Sequence, residues 1–313
     1  MLNERALQLA NDMATRAAGL RIGVEQTPAD ARILDCGIKA QGGLQAGLAL
    51  AGVTLAGLAE VSLAAGEAGG VPCPVVQVTS DHPVMACLAS QYAGWSIQLG
   101  RFSAMGSGPM RALWGREELF DTIGGREHAD VAVGMLESTK FPPDDATAYL
   151  CDQLRLAADK LTLLVAPAAS LAGTVQVVAR SLETALHKLH QLRFDLGQVV
   201  TGFGSAPLPP VAAKELQAIG RTNDAILYGG RVVLWVNADD DELITVGPKV
   251  PSCSSSDHGS LFVEIYERCG MDFYKIDPML FSPAMICFNN LRSGRSHVFG
   301  RIEDEVLRRS FGD

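Results

Sequence analysis

Aromatic residues are scarce in this chain, 6% of its 313 positions, and charged residues supply only 19%. A core poor in Phe, Trp and Tyr has to be built from Ala, Leu and Val. The low charge, with a hydrophobic content of 48%, excludes a disordered, solvated chain. Paired cysteines are missing too. The seven, Cys36, Cys73, Cys87, Cys151, Cys253, Cys269 and Cys287, form no CxxC. Zinc sites usually show paired local spacing, so no metal is expected. Dispersed thiols in odd number read as reduced and buried, in a cytoplasmic protein. No G-X-Y period organises the 32 Gly and 15 Pro, which excludes collagen. Lys and Arg are the minority, 26 against 35 Asp and Glu, for a formal charge of −9. Such a surface repels phosphate backbones, so nucleic acid is not an expected partner.

A strongly apolar run of membrane length is also lacking. Residues 40–59 carry no charge, but their Gly, Ala, Gln and Thr content drives insertion weakly. A buried helix packed closely through small residues is expected there, and no membrane partner. The first residues carry Glu4, Arg5, Asp12 and Arg16 without an apolar stretch, so no signal or transit peptide is expected.

What is present is an intermixed series of helical and extended patterns. The length favours two ordinary domains. Apolar spacing predicts helices over 3–19, with Asn3 as N-cap, and over 42–58, 84–92, 174–192 and 303–309. Short alternating or apolar runs predict strands at 32–37, 75–79, 95–100, 131–136, 161–165, 231–236 and 285–288, with 273–276 extended. The mixture reads as α/β or mixed α+β, in two α/β domains, without a clean βαβ rhythm. The boundary expected is 1–90 with 250–313 against 91–249. The most linker-like stretches are 141–145 and 203–210.

Several constellations could carry chemistry. In AMGSGPMR at 104–111, Gly106, Ser107 and Gly108 form a turn into a helix opened by Pro109, where free N–H groups can hold an anion. The GxGxxG and GKS/T spacings are absent, and a plain capping turn accounts for the string equally well. Arg180 and Glu183 stand at i, i+3 on one helix face. Taken alone they are a surface salt bridge, but the small and apolar segment before them, 165–173, favours half-burial. His187 and His190 lack the Glu of a zincin motif and read as a solvated face. Asp81 and His82, at a strand end, suit acid–base work or ordinary turn chemistry. The polar loop 251–259 offers Cys253 or Ser254 with His258 as a nucleophile, without a GxSxG elbow.

Strings spread along the whole chain carry a resemblance. NERAL at 3–7, QVTSDHP at 77–83, AGW at 93–95, AMGSGP at 104–109, TNDAILYGGR at 222–231, FYKIDP at 273–278 and RSFG at 309–312 are similar to the N5,N10-methenyltetrahydromethanopterin cyclohydrolases, in the family's order. The wording SQYAGW resembles the bacterial one-carbon branch. The resemblance implies reversible hydrolysis of a methenyl bridge to the N5-formyl pterin during formaldehyde oxidation, on the dephospho form of the carrier. It implies no metal or organic cofactor, since tetrahydromethanopterin is the substrate carrier. It also implies two α/β domains with the pterin in a cleft, and a homotrimer.

The family's catalytic Arg-x-x-Glu maps onto Arg180 and Glu183. Asp81, Tyr92, Gly106, Ser107, Gly108, Arg111, Tyr228 and Arg231, within or beside the matching strings, become the substrate-binding candidates. A lysine that archaeal members carry before Ala-Gly-Trp is Tyr92 here. The chemistry agrees: a carbon between two nitrogens sharing a positive charge is already electrophilic, and what it needs is a positioned water and a carboxylate base. Two other readings stay open at this point, a Ser/Cys hydrolase using the 252–258 loop and a non-catalytic pterin-binding module on the Gly106 turn.

Overall fold

The computed structural model describes residues 1–312, the Tyr274 side chain apart. Its strands are β1 (Gly23–Gln26), β2 (Arg32–Asp35), β3 (Glu60–Ala68), β4 (Val71–Ser80), β5 (Trp95–Leu99), β6 (Phe102–Ser107), β7 (Ala132–Glu137), β8 (Leu161–Ala166), β9 (Val199–Pro207), β10 (Arg231–Val236), β11 (Met285–Asn290) and β12 (Ser296–Gly300). They build two six-stranded mixed sheets, ordered β1-β2-β8-β7-β6-β5 and β12-β11-β10-β9-β4-β3. Only β2, β8 and β7 in the first sheet, and β10 with β11 in the second, run parallel to a neighbour. The remaining pairs are antiparallel, which makes the class mixed α+β.

The chain forms two compact units, one from Met1–Ala59 and Met85–Gln176, the other from Glu60–Val84 and Val177–Asp313. Pairing explains why the breaks differ from the expected 1–90 with 250–313 against 91–249. Strand β4 aligns with β9 from Val75↔Pro207 to Ser80↔Gly202, so the β3–β4 hairpin joins the C-terminal unit. The stretch 203–210, expected as a linker, lies largely inside β9.

In the first unit both faces of the parallel strands are covered. Leu34, Met135 and Leu164 meet Met13 and Leu50 on one side, and Ile33, Leu136 and Leu163 meet Trp95, Ile97 and Leu150 on the other. Burying each such side chain contributes about 1.5–3 kcal/mol. The uncharged segment is the helix Leu44–Thr54, buried as expected. It packs through small residues, since a Cβ on Gly47 would lie 2.6 Å from Val175 Cβ.

Other local expectations need correction. The first helix begins earlier, at Leu2, so Asn3 lies inside it and does not cap it. Its buried amide donates through Nδ2 to Pro109 O (2.9 Å) and accepts through Oδ1 from Val133 N (2.9 Å), which satisfies both ends. The long helix over 174–192 breaks into Leu171–Val178 and Ser181–Gln191. Residues Val84–Gln91 wind wide, as a π-helix, and Tyr92 N–H bonds Cys87 O five residues back. Phe273–Lys275 is a short 3₁₀ turn rather than an extended segment.

Candidate active site

The second unit positions its charged pair through two glycines of β9. A Cβ on Gly204 would lie 2.7 Å from Leu182 N and from Ser181 Oγ, and one on Gly202 would lie 2.8 Å from Leu182 Cδ1. Only bare backbone lets the first turn of Ser181–Gln191 rest this close to the strand. Leu182 then anchors the turn in the core, and Arg180 and Glu183 flank it. Both are more than nine-tenths buried, with Arg180 Nη1 3.7 Å from Glu183 Oε2. That burial removes the surface-salt-bridge reading. The separation exceeds a hydrogen bond, so this contact is Coulombic.

Sequence reasoning missed Lys188 on the same helix. Its Nζ is fully buried and donates to Met279 O and to Ser254 Oγ (3.1 Å). Burial pushes the ammonium down to about 8, against the opposing pull of Asp277 and Cys253. The available signal was its place at i+7 from Ser181 and i+3 from Ala185, on a stripe that is buried throughout. His187 and His190, expected on a solvated face, are half-buried, and burial lowers His190 below its usual range.

The first unit brings Tyr92 and Arg111 together, with the guanidinium carbon 4.9 Å from the ring centre. Arg111 is fully buried. Its Nε and Nη2 bond the carboxylate of Glu117 (2.7 and 2.5 Å), and Nη1 donates to Leu88 O and Ser90 O (3.1 and 3.2 Å). Its donors are thus engaged with the wide helix on one side and Glu117 on the other, and the side chain is buried within the fold. Glu117 was not foreseen, because nothing in the spacing marks it.

Gly106 lies within β6, opposite Trp95, where a Cβ would come 2.9 Å from Met110 Cε and 3.1 Å from Trp95 O. Gly108 takes φ +89°, and Ser107 between them is buried. The helix that follows, Met110–Trp114, has five residues. This string is a packed strand end and a turn.

The remaining candidates lie apart within the second unit. Asp81 is exposed, with Thr201 Oγ1 2.7 Å from its Oδ1. Tyr228 is buried, and its hydroxyl donates to Ser260 O (2.5 Å) and accepts from Gly259 N (3.1 Å). Burial pushes this phenol well above its ordinary range, and its position is one of core support. Arg231 is exposed at the start of β10, with no side-chain partner among the described residues.

In the 252–258 loop, His258 meets neither Cys253 nor Ser254. Its Nδ1 lies 3.4 Å from Ser252 Oγ and its Nε2 3.4 Å from Glu303 Oε1. Ser252 is fully buried and donates to Leu227 O, while Ser254 donates to Lys249 O. No exposed nucleophile is assembled there. Among the described residues, no three His, Cys, Asp or Glu side chains are grouped to hold a metal, and no helix is long and apolar enough to cross a membrane.

Comparison with known proteins covers the whole length. The family model described as Cyclohydrolase (MCH) matches residues 1–311. A protein of Rhodopirellula baltica named methenyltetrahydromethanopterin cyclohydrolase is 46% identical over 316 residues, 99% of this chain and 95% of its own. One of that name from Methylobacillus flagellatus is 44% identical over 311 residues, again 99% and 95%. A third, from Methanococcoides burtonii, is 37% identical over 313 residues, 99% and 98%.

Proposed function

The chain belongs to the methenyltetrahydromethanopterin cyclohydrolase family, and on that premise we propose that it hydrolyses N5,N10-methenyltetrahydromethanopterin to the N5-formyl derivative, with the buried Arg180–Glu183 pair as its acid–base centre. The observation that carries the assignment of the pair is its burial. A carboxylate withdrawn from bulk water, beside a guanidinium, is suited to hold and deprotonate one positioned water molecule.

The reaction balances with these groups alone. Glu183 takes one proton from water as the oxygen adds to the methenyl carbon, which neutralises the cationic amidine. The tetrahedral carbinolamine then breaks its bond to N10. Glu183 returns its proton to that nitrogen, the hydroxyl proton leaves to solvent, and the formyl C=O remains on N5. Arg180 fixes the orientation of the carboxylate and favours its charge. Because the substrate carbon is already electrophilic, the scheme requires no metal and no organic cofactor.

The family resemblance further supports the dephospho form as substrate, a homotrimeric assembly and a cytoplasmic role in formaldehyde oxidation. The direct test follows loss of the methenyl chromophore with purified, chelator-treated protein. Turnover of the methanopterin substrate, with little or none of the tetrahydrofolate analogue, is the expected result. Absence of turnover, or activity restored only by added zinc, would overturn the reading. Light scattering on the same sample reports the assembly.

A further inference from the structure

The first unit carries a cavity of about 440 Å³ that none of the residues above occupies. Its size falls in the range of small-molecule sites. Arg116, His128 and Arg155 line it, with Asp130 as the one acid and Trp114 and Leu154 among its apolar walls. In a chain of formal charge −9, two guanidinium groups against one acid make this lining locally positive. None of Arg116, Arg155 and His128 makes an ion pair among the described residues, and Asp130 pairs with none of them. The two guanidinium charges, both exposed, are therefore uncommitted, unlike that of Arg111.

Two further features bear on what the cavity takes. Trp114 stacks flat on Trp95, ring centres 4.2 Å apart and planes 2° from parallel. The stack covers one face of the indole and leaves the half-buried ring to contribute to the cavity wall. Arg155 follows the helix Asp144–Leu154 in the left-handed conformation, φ +57°, where glycine is the usual residue. A long cationic side chain stands there instead, on the cavity wall.

We propose that this cavity binds a phosphate monoester bearing a planar ring, the phosphate held by Arg116 and Arg155 and the ring set against Trp114. Guanidinium forks match phosphate oxygens in pairs, and an indole face accepts a planar partner. Neither part suffices alone: the head brings charge complementarity and the ring brings apolar area.

The test uses adenosine 5′-monophosphate as probe, with adenosine and ribose 5-phosphate as its two halves. Calorimetry on the full-length protein should give saturable binding of the monophosphate, at least about tenfold tighter than either half. Arg116→Ala and Arg155→Ala should each weaken it by tenfold or more while pterin turnover stays at the parent level. Tryptophan fluorescence should quench with the same midpoint, and Trp114→Phe should remove that signal. Binding of adenosine as tight as the monophosphate, insensitivity to both arginine variants, or no heat at millimolar probe would each overturn the proposal.

Discussion

Arg180 Nη1 and Glu183 Oε2 stand 3.7 Å apart, one helical turn from each other and both withdrawn from solvent. Glu183→Gln keeps the side chain's size but cannot take a proton from water. It should bind the methenyl pterin normally and lose roughly 10²–10⁴-fold in kcat. Arg180→Leu should also lower kcat, and the double variant should be scarcely worse than Glu183→Gln, because the pair acts as a unit. Near-parent turnover by Glu183→Gln would remove the assignment.

Arg111 predicts a stability effect instead of a kinetic one. Arg111→Met strands the Glu117 carboxylate and two carbonyls, for a cost of about 3–5 kcal/mol. At roughly 2–4 °C per kcal/mol, Tm should fall by about 10 °C. Adding Glu117→Leu should recover part of the loss, since the orphaned charge goes with it. A thermal melt of the two variants decides this, and a double variant no better than the single would count against the ion pair.

Asp224 gives a pH test with a definite sign. Its carboxylate accepts from Phe262 N (2.8 Å) and Ser310 Oγ (2.7 Å), yet burial pushes it up to about 7. The folded state then holds a proton that the unfolded chain releases near 4, so this group's contribution falls as pH rises from about 4 to 7. Asp224→Asn keeps the shape without the charge. Its Tm advantage over the parent should grow across that window and level off above pH 7. An advantage that does not change with pH would contradict the buried-carboxylate account.

Lys188 titrates the other way. Its folded value of about 8 lies below that of a free lysine, so burying the charge costs on the order of 3 kcal/mol at neutral pH. The folded state binds fewer protons between pH 8 and 10.5, and this cost fades as pH rises through that interval. Relative to Lys188→Met, the parent should therefore gain in Tm as pH rises from about 8 to 10.5. A constant difference would place the ammonium in better-solvated surroundings.

These residues also mark the limits of sequence reading. Alternation and apolar runs located β2, β4, β5, β7, β8, β10 and β11, because burial of one or both faces leaves a local pattern. Strands β1, β3, β6, β9 and β12 escaped notice. The exposed residues of β1 and β12 show no such pattern, and these two form only by pairing with β2 and β11. At the site, the i, i+3 spacing made Arg180 and Glu183 visible together. Whether a charged residue is buried depends on distant partners: Glu117 is six residues from Arg111, and Gly204 more than twenty from Ser181 and Leu182, the turn it admits. Arg111 and Tyr228 read as substrate contacts because they lie within or beside strings that match the family, and in the fold their polar atoms are engaged with Glu117 and Ser260.

The hairpin of β3 and β4 has a consequence in time. Strand β4 finds its second neighbour only in β9, about 120 residues further along the chain. At ribosomal rates of about 5–20 residues per second, that edge waits roughly 6 to 24 s before its partner emerges. The hairpin's alternating valines stand open to mispairing through that interval. Pro72 and Pro74, near its start, lack the N–H groups that an intruding strand would need. They are therefore gatekeepers of synthesis, and replacing both should lower soluble yield at high expression while leaving the melting temperature of the recovered protein nearly unchanged.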